Sequence, residues 1–241
     1  MRQEFFQLWV YLSASPLFGL TATLVAYCSS LYLARWARLH PLANPVAIAV
    51  VMLVVVLSVS GIEYPKYFQG AQFVHFLLGP ATVALALPLF AQLSTLRHYR
   101  WPLIIGLICG ALASALSAVV VAWLLGASEQ TIMSLLPKSI TAPIAMGISE
   151  QIGGTPALTA VYCIMTGILG AVLARYVFNA MGVSSWVVRG YALGTAAHGI
   201  GTARAFQVNA EAGAFAGLAL VLHGLFASVA IPAAVILAKA L

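Results

Sequence analysis

Residues Leu135 to Gly154 read LLPKSITAPIAMGISEQIGG. The stretch is apolar enough to lie in a bilayer. It nevertheless carries Lys138, Ser139, Thr141, Glu150 and Gln151, spaced by Pro137, Pro143, Gly147, Gly153 and Gly154. A lipid-facing helix has no use for such residues. An ionised side chain at the bilayer centre costs roughly 2.5–3.5 kcal/mol on insertion scales. Proline removes a backbone donor that hydrocarbon cannot replace. A segment of this kind belongs inside protein or beside a water-filled cavity, and it reads as part of a polar site buried among membrane helices.

The whole chain supports that setting. Its 241 residues are 63% hydrophobic and 7% charged, whereas soluble domains are about 25% charged. The fold class expected is an all-α polytopic membrane protein with about seven to nine membrane segments. It is read as a single integral membrane domain over residues 1–241, with lipid as the main solvent. The net charge of +6 is not a nucleic-acid signal, because the basic residues sit in short loops between apolar runs, where they set orientation. Cys28, Cys109 and Cys163 are odd in number and lack ligand spacing, so they read as small core residues. No metal and no cofactor are expected. The first apolar run has no basic leader or small-residue cleavage site, so no removable signal peptide is expected.

Outward from the central stretch, the spans are read at about Pro16–Ala34, Val46–Ser60, Phe73–Leu93, Pro102–Leu125, Pro156–Ala174, Trp186–Phe206 and Gly213–Ala238. Trp9 and Tyr11 suit an interface, and Glu63, Lys66 and neighbouring aromatics read as a loop. LGPATVALA at Leu78–Ala86 lines up with LGTAAHGIG at Leu193–Gly201, which points to a duplication of residues 16–126 and 131–241. Arg35, Arg38, Arg97, Arg100, Arg175 and Arg189 all fall on the cytoplasmic side only if the Leu135 stretch enters and returns on the outer side, or if an extra crossing is hidden. The expectation is therefore an inverted repeat with interrupted or re-entrant helices, the layout in which transporters place a midplane site.

Lys138 offers a point charge with three donors, and Ser139 and Thr141 add hydroxyls. The prolines free backbone N–H groups and aim a helix N-terminus at an anion. The alternative is a lysine snorkelling to the interface, with hydroxyls bonded back to their own helix. Glu150 is read as a coupling or gating carboxylate, as a water-exposed loop acid, or as the fixed partner of Lys138 or Arg204. The second polar segment, Ala192–Ala205, holds Thr195, His198, Gly199, Thr202 and Arg204 among small residues. His198 could bind a carboxylate or exchange a proton, and Arg204 could clamp a carboxylate bidentately. Against this stand close helix packing at the glycines and a hydrogen-bonded core role for His198. GIGTAR is not a nucleotide loop, since it lacks the P-loop ending and context. No catalytic triad is credible, so no enzyme activity is expected.

The two polar segments, together with PALTAV after the first, GAFAGLAL after the second and the earlier LGPATVALALPL, resemble the LrgB/CidB family. The resemblance implies a multi-pass protein of the cell inner (plasma) membrane, working beside a small LrgA/CidA-type membrane protein. Bacterial members of that family are described as holin-like or antiholin-like regulators of murein hydrolase export and cell lysis. A plastid relative resembles a glycolate/glycerate translocator, and some bacterial members are linked to pyruvate uptake. Two expectations follow. One is a secondary transporter of small monocarboxylates, with Lys138, Ser139, Thr141, Gln151, His198, Gly199, Thr202 and Arg204 binding the organic anion and Glu150 and His198 coupling or gating. The other is a lysis regulator that oligomerises. A homodimer is compatible with the many small-residue faces.

Overall fold

The computed structural model describes residues 16–40, 43–77, 80, 84, 90 and 97–240. The Trp9–Tyr11 interface, most of the third apolar segment and most of the Leu78–Ala86 half of the duplication lie outside them. The described residues form nine helices and no strand. They are α1 Pro16–Trp36, α2 Pro45–Ser60, α3 Tyr64–Phe76, α4 Arg100–Leu124, α5 Glu129–Leu135, α6 Ala142–Ile152, α7 Pro156–Ala180, α8 Trp186–Val208 and α9 Ala210–Ala240. The chain divides into two compact units, Met1–Ala84 and Leu85–Leu241.

In the first unit α1 packs against α2 and α3. Asn44 starts α2 by accepting from the Val46 and Ala47 amides (2.9 and 3.1 Å), which satisfies two of the amides that a helix start leaves open. The Tyr64–Phe68 part of that expected loop is helical, and Glu63 precedes the helix. Its aromatics have a partner, because Tyr67 Oη lies 2.7 Å from Thr23 Oγ1 on α1. Gly19 lets α1 approach this closely, since a Cβ there would strike the Tyr67 carbonyl.

In the second unit α4, α7 and α9 are long and apolar enough to cross a membrane, as is α1 in the first. Only 17–28% of these four most apolar windows is buried. Leu112, Leu116 and Val120 on α4, and Met165, Leu169 and Leu173 on α7, are exposed. Apolar side chains facing outward in continuous stripes are what a bilayer stabilises and water does not. The chain is a membrane protein on this evidence. Four described helices have spanning length; α2 is shorter and the remainder are interrupted or short.

The interruptions follow the unusual residues. Leu135–Gly154 leaves α5, turns through Pro137, and returns as α6, which starts after Thr141 with Pro143 in its first turn. Its two ends meet: the Thr155 amide donates to Ser134 Oγ (2.8 Å), and a side chain at Gly154 would strike Ser149 and the backbone at residues 133–134. The stretch thus enters and returns at the Pro156 end of α7. Helix α8 is also folded back on itself. Ala197 (φ −123°, ψ 15°) and His198 (φ 41°, ψ −131°) are non-helical. A Cβ on Gly201 would lie 2.8 Å from the Leu193 carbonyl, although eight residues of straight helix span about 12 Å. Residues 186–196 and 199–208 are therefore two limbs of a helical hairpin. Both limbs line a cleft with Arg175, Phe178 and Asn179, so this hairpin enters from the other end of α7.

Candidate functional site

The tips of the two hairpins meet on α7 at Cys163. The Cys163 thiol faces the Pro137 carbonyl (3.8 Å), and its own carbonyl accepts from His198 Nε2 (2.8 Å). Gly167 makes the second contact possible, because a Cβ there would come within 2.9 Å of the His198 ring. The turn at Ala197–His198 leaves carbonyls at the end of the first limb without helical partners. One of these, the Thr195 carbonyl, accepts from His223 Nδ1 on α9 (2.9 Å). Thr202 Oγ1 donates to the His198 carbonyl (2.8 Å) and Thr195 Oγ1 to the Tyr191 carbonyl (2.9 Å). Both bonds run back four residues along the chain. His198 is 5% exposed and fully engaged at its Nε2, so in this conformation it works as a clip between hairpin and span.

At the first tip, half-buried Lys138 Nζ donates to Ser114 Oγ on α4 (3.0 Å) and to Ser139 Oγ (3.3 Å). The two hydroxyls lie 2.6 Å apart. An ammonium has three donors, and protein takes two. Among the described residues no acidic side chain forms an ion pair with Lys138: Glu150 and Gln151 are exposed at the far end of α6, about 13–15 Å along the helix from Thr141. Glu150 is thus not the fixed partner of Lys138 or of Arg204. Thr141 caps the start of α6 by backbone conformation, without a side-chain cap bond.

Ser114 stands between two cavities. One, of about 360 Å³, is bounded by Ser139, Ile140 and His223 with apolar side chains around them. The other, also of about 360 Å³, runs along α4 and the first limb of α8, past Tyr99, Tyr191 and Thr195. Nothing in LASALSA separates a serine that packs from one that holds an ammonium.

Arg204 lies elsewhere. It lines a third cavity, of about 390 Å³, with Arg175 and Arg189 at the base of the α8 hairpin. Twelve residues of α7, about 18 Å, separate Cys163 from Arg175. Lys138 and Arg204 do not share a cavity. Gly199, with no atom within 4 Å of a built Cβ, sits at the α8 tip.

A family model described as the LrgB-like family matches residues 23–237. The chain is 32% identical to the holin-like protein CidB of Staphylococcus epidermidis over 198 residues, which cover 82% of this chain and 86% of the relative. It is 31% identical to the antiholin-like protein LrgB of Bacillus cereus over 218 residues, covering 90% and 95%. No solved structure matches the chain.

Proposed function

We propose, since the chain belongs to the LrgB-like family, that it is a holin-like or antiholin-like protein of the cell inner membrane that regulates murein hydrolase export and lysis. The observation that carries this reading is its likeness, over four fifths or more of its length, to relatives bearing those names. An LrgA/CidA-type protein is the proposed partner, and a homodimer the proposed resting assembly. The test is controlled expression in a bacterium lacking its own copy, followed by zymography of secreted murein hydrolases and the rate of autolysis. Unchanged hydrolase release and lysis, with the protein confirmed in the membrane, would reject the reading.

A second reading has its own support. Lys138 is a half-buried cation with a spare donor and no carboxylate partner among the described residues, set where two hairpins from opposite ends of α7 meet. Helices interrupted at mid-depth are the usual builders of carrier sites. A carrier of small monocarboxylates such as glycolate, glycerate, pyruvate or lactate would seat the carboxylate at Lys138, Ser139 and Ser114. Thr141 would add a contact from its side of the tip, and His198, Gly199 and Thr202 would form the opposite wall. Counterflow of labelled carboxylate in proteoliposomes tests it: a carrier saturates and loses flux in Lys138→Ala. Unsaturable passage of unrelated solutes would sink the carrier and favour a pore.

A further inference from the structure

The cleft at the base of the α8 hairpin collects three guanidinium groups and no acid. Arg175 comes from α7, Arg189 from the first limb of α8 and Arg204 from the second. They meet only because α8 folds back; in a straight helix Arg189 and Arg204 would stand about 22 Å apart. Arg189 is fixed in place. Its Nε donates to the Val183 carbonyl and its Nη2 to Asn179 Oδ1, both at 2.7 Å, and its guanidinium lies 5.8 and 5.4 Å from the Phe178 and Trp186 rings. The other two are barely engaged. Arg204 has one long bond, to Gln207 Oε1 (3.4 Å), and Arg175 has no hydrogen bond or ion pair among the described residues. Each guanidinium carries five N–H donors, so most of the donors around this cleft have no acceptor among the described residues.

Orientation in the membrane does not require such an arrangement, because positive charges that set topology act from loops spread in water. Three like charges turned to one cavity repel each other unless an anion lies between them. A monocarboxylate neutralises one of three. We propose that this cleft is a binding site for a multiply charged phosphate-bearing anion, presented either by an anionic phospholipid headgroup or by a soluble phosphate ester. Guanidinium forks match phosphate oxygens bidentately, and basic pockets between membrane helices suit such headgroups. Exposed Trp186 and Val208 on the rim offer an apolar approach for acyl chains. The site stands apart from Lys138, so it does not rest on either functional reading.

The full chain is purified in neutral detergent and titrated calorimetrically with inorganic pyrophosphate, with acetate as the singly charged comparison. In parallel it is placed in phosphatidylcholine nanodiscs with or without cardiolipin, and retained lipid is read by native mass spectrometry. Arg175→Gln with Arg204→Gln leaves the anchored Arg189 in place; Arg100→Gln at the start of α4 is the control. Binding of pyrophosphate, retention of cardiolipin, or both should fall at least about tenfold in the double variant and hold in the control. Pyrophosphate alone identifies a soluble ester, and cardiolipin alone a headgroup. Binding of neither, equal loss in Arg100→Gln, or acetate binding as tightly as pyrophosphate overturns the proposal. Should the double variant fail to fold, Arg175→Gln alone, which breaks no hydrogen bond among the described residues, must still weaken binding.

Discussion

The Leu135–Gly154 hairpin is held by hydroxyl groups, and the α8 hairpin by the absence of side chains. In the first, Thr159 Oγ1 on α7 lies 2.9 Å from the Ser134 carbonyl and 2.7 Å from Ser149 Oγ, tying both limbs to one span. Gly147 in its returning limb has no atom within 4 Å of a built Cβ. In the second, side chains at Gly190 and Gly194 would strike the Ala212 and Ala216 carbonyls of α9, and one at Gly170 would lie 2.5 Å from Ala197 Cβ. Backbone contact of this kind is how helices associate where no hydrophobic drive exists between them. A seam made by backbones has no substitute partner, whereas hydroxyls can exchange theirs. The contrast makes the α8 hairpin a fixed wall and the first hairpin the adjustable element beside the cavities.

The most severe way to break this comparison is Gly194→Leu. The new side chain has only the Ala216 backbone to displace, and overpacking costs typically about 1–3 kcal/mol or more. Loss of the monodisperse peak in size-exclusion chromatography is expected. Gly147→Ala, into open space, should leave the peak intact and raise stability by about 0.4–1 kcal/mol through the unfolded chain. Equal tolerance at both positions would mean the α8–α9 seam is not close-packed.

Thr159→Val comes next. It removes the hydroxyl shared by Ser134 and Ser149 while keeping the volume, and it leaves a buried carbonyl short of a donor. A buried polar group left unsatisfied costs about 1–3 kcal/mol. Thermal unfolding in detergent should shift down accordingly. Protease cleavage within α5 or α6, with α8 still protected, would show that the loss is local to the first hairpin.

A pair at the second tip sharpens the contrast further. His198→Ala deletes the clip to the Cys163 carbonyl but keeps a Cβ at φ 41°. His198→Gly deletes the same clip and relieves the backbone, since glycine adopts positive φ at little cost. Strain of this kind is of order 1–3 kcal/mol. The glycine variant should therefore unfold at a higher temperature than the alanine variant; the reverse order would mean the tip is unstrained.

Much of the arrangement was legible in the sequence, for physical reasons. Long apolar runs without charge mark α1, α4, α7 and α9, because lipid tolerates nothing else over that length. Pro137, Pro143, Gly153 and Gly154 mark a segment that cannot be a plain span, and the basic loops fall on one side if it returns to its starting face or if a further crossing is present. The place where α8 turns was not legible. Gly194, Gly199 and Gly201 advertise flexibility there, yet the turn falls on Ala197 and His198, fixed by tertiary bonds to Cys163 and by space left at Gly167. The partition of charges was hidden for the same reason. Lys138 and Arg204 both lie in polar segments, and only the opposite directions of entry put one at a tip and the other at a base. The aromatic stretch after Glu63 reads as a loop by its charges and becomes helix because Tyr67 finds Thr23.

The smallest effect on stability is expected at Lys138, and that is what makes it informative. Truncating one partner of an ion pair destabilises by stranding the other charge, but Lys138 has no such partner among the described residues. Lys138→Met keeps the length of the side chain and removes an ammonium whose burial is costly. The hydroxyls of Ser114 and Ser139 still satisfy each other at 2.6 Å. Thermal stability should therefore hold or rise slightly, in contrast with Thr159→Val on the same hairpin. A structural lysine would give the opposite sign, with clear destabilisation. If stability holds while carboxylate counterflow disappears, the cation is there for a ligand. If stability and every measured activity are both unchanged, the ammonium at the tip has no role in either reading.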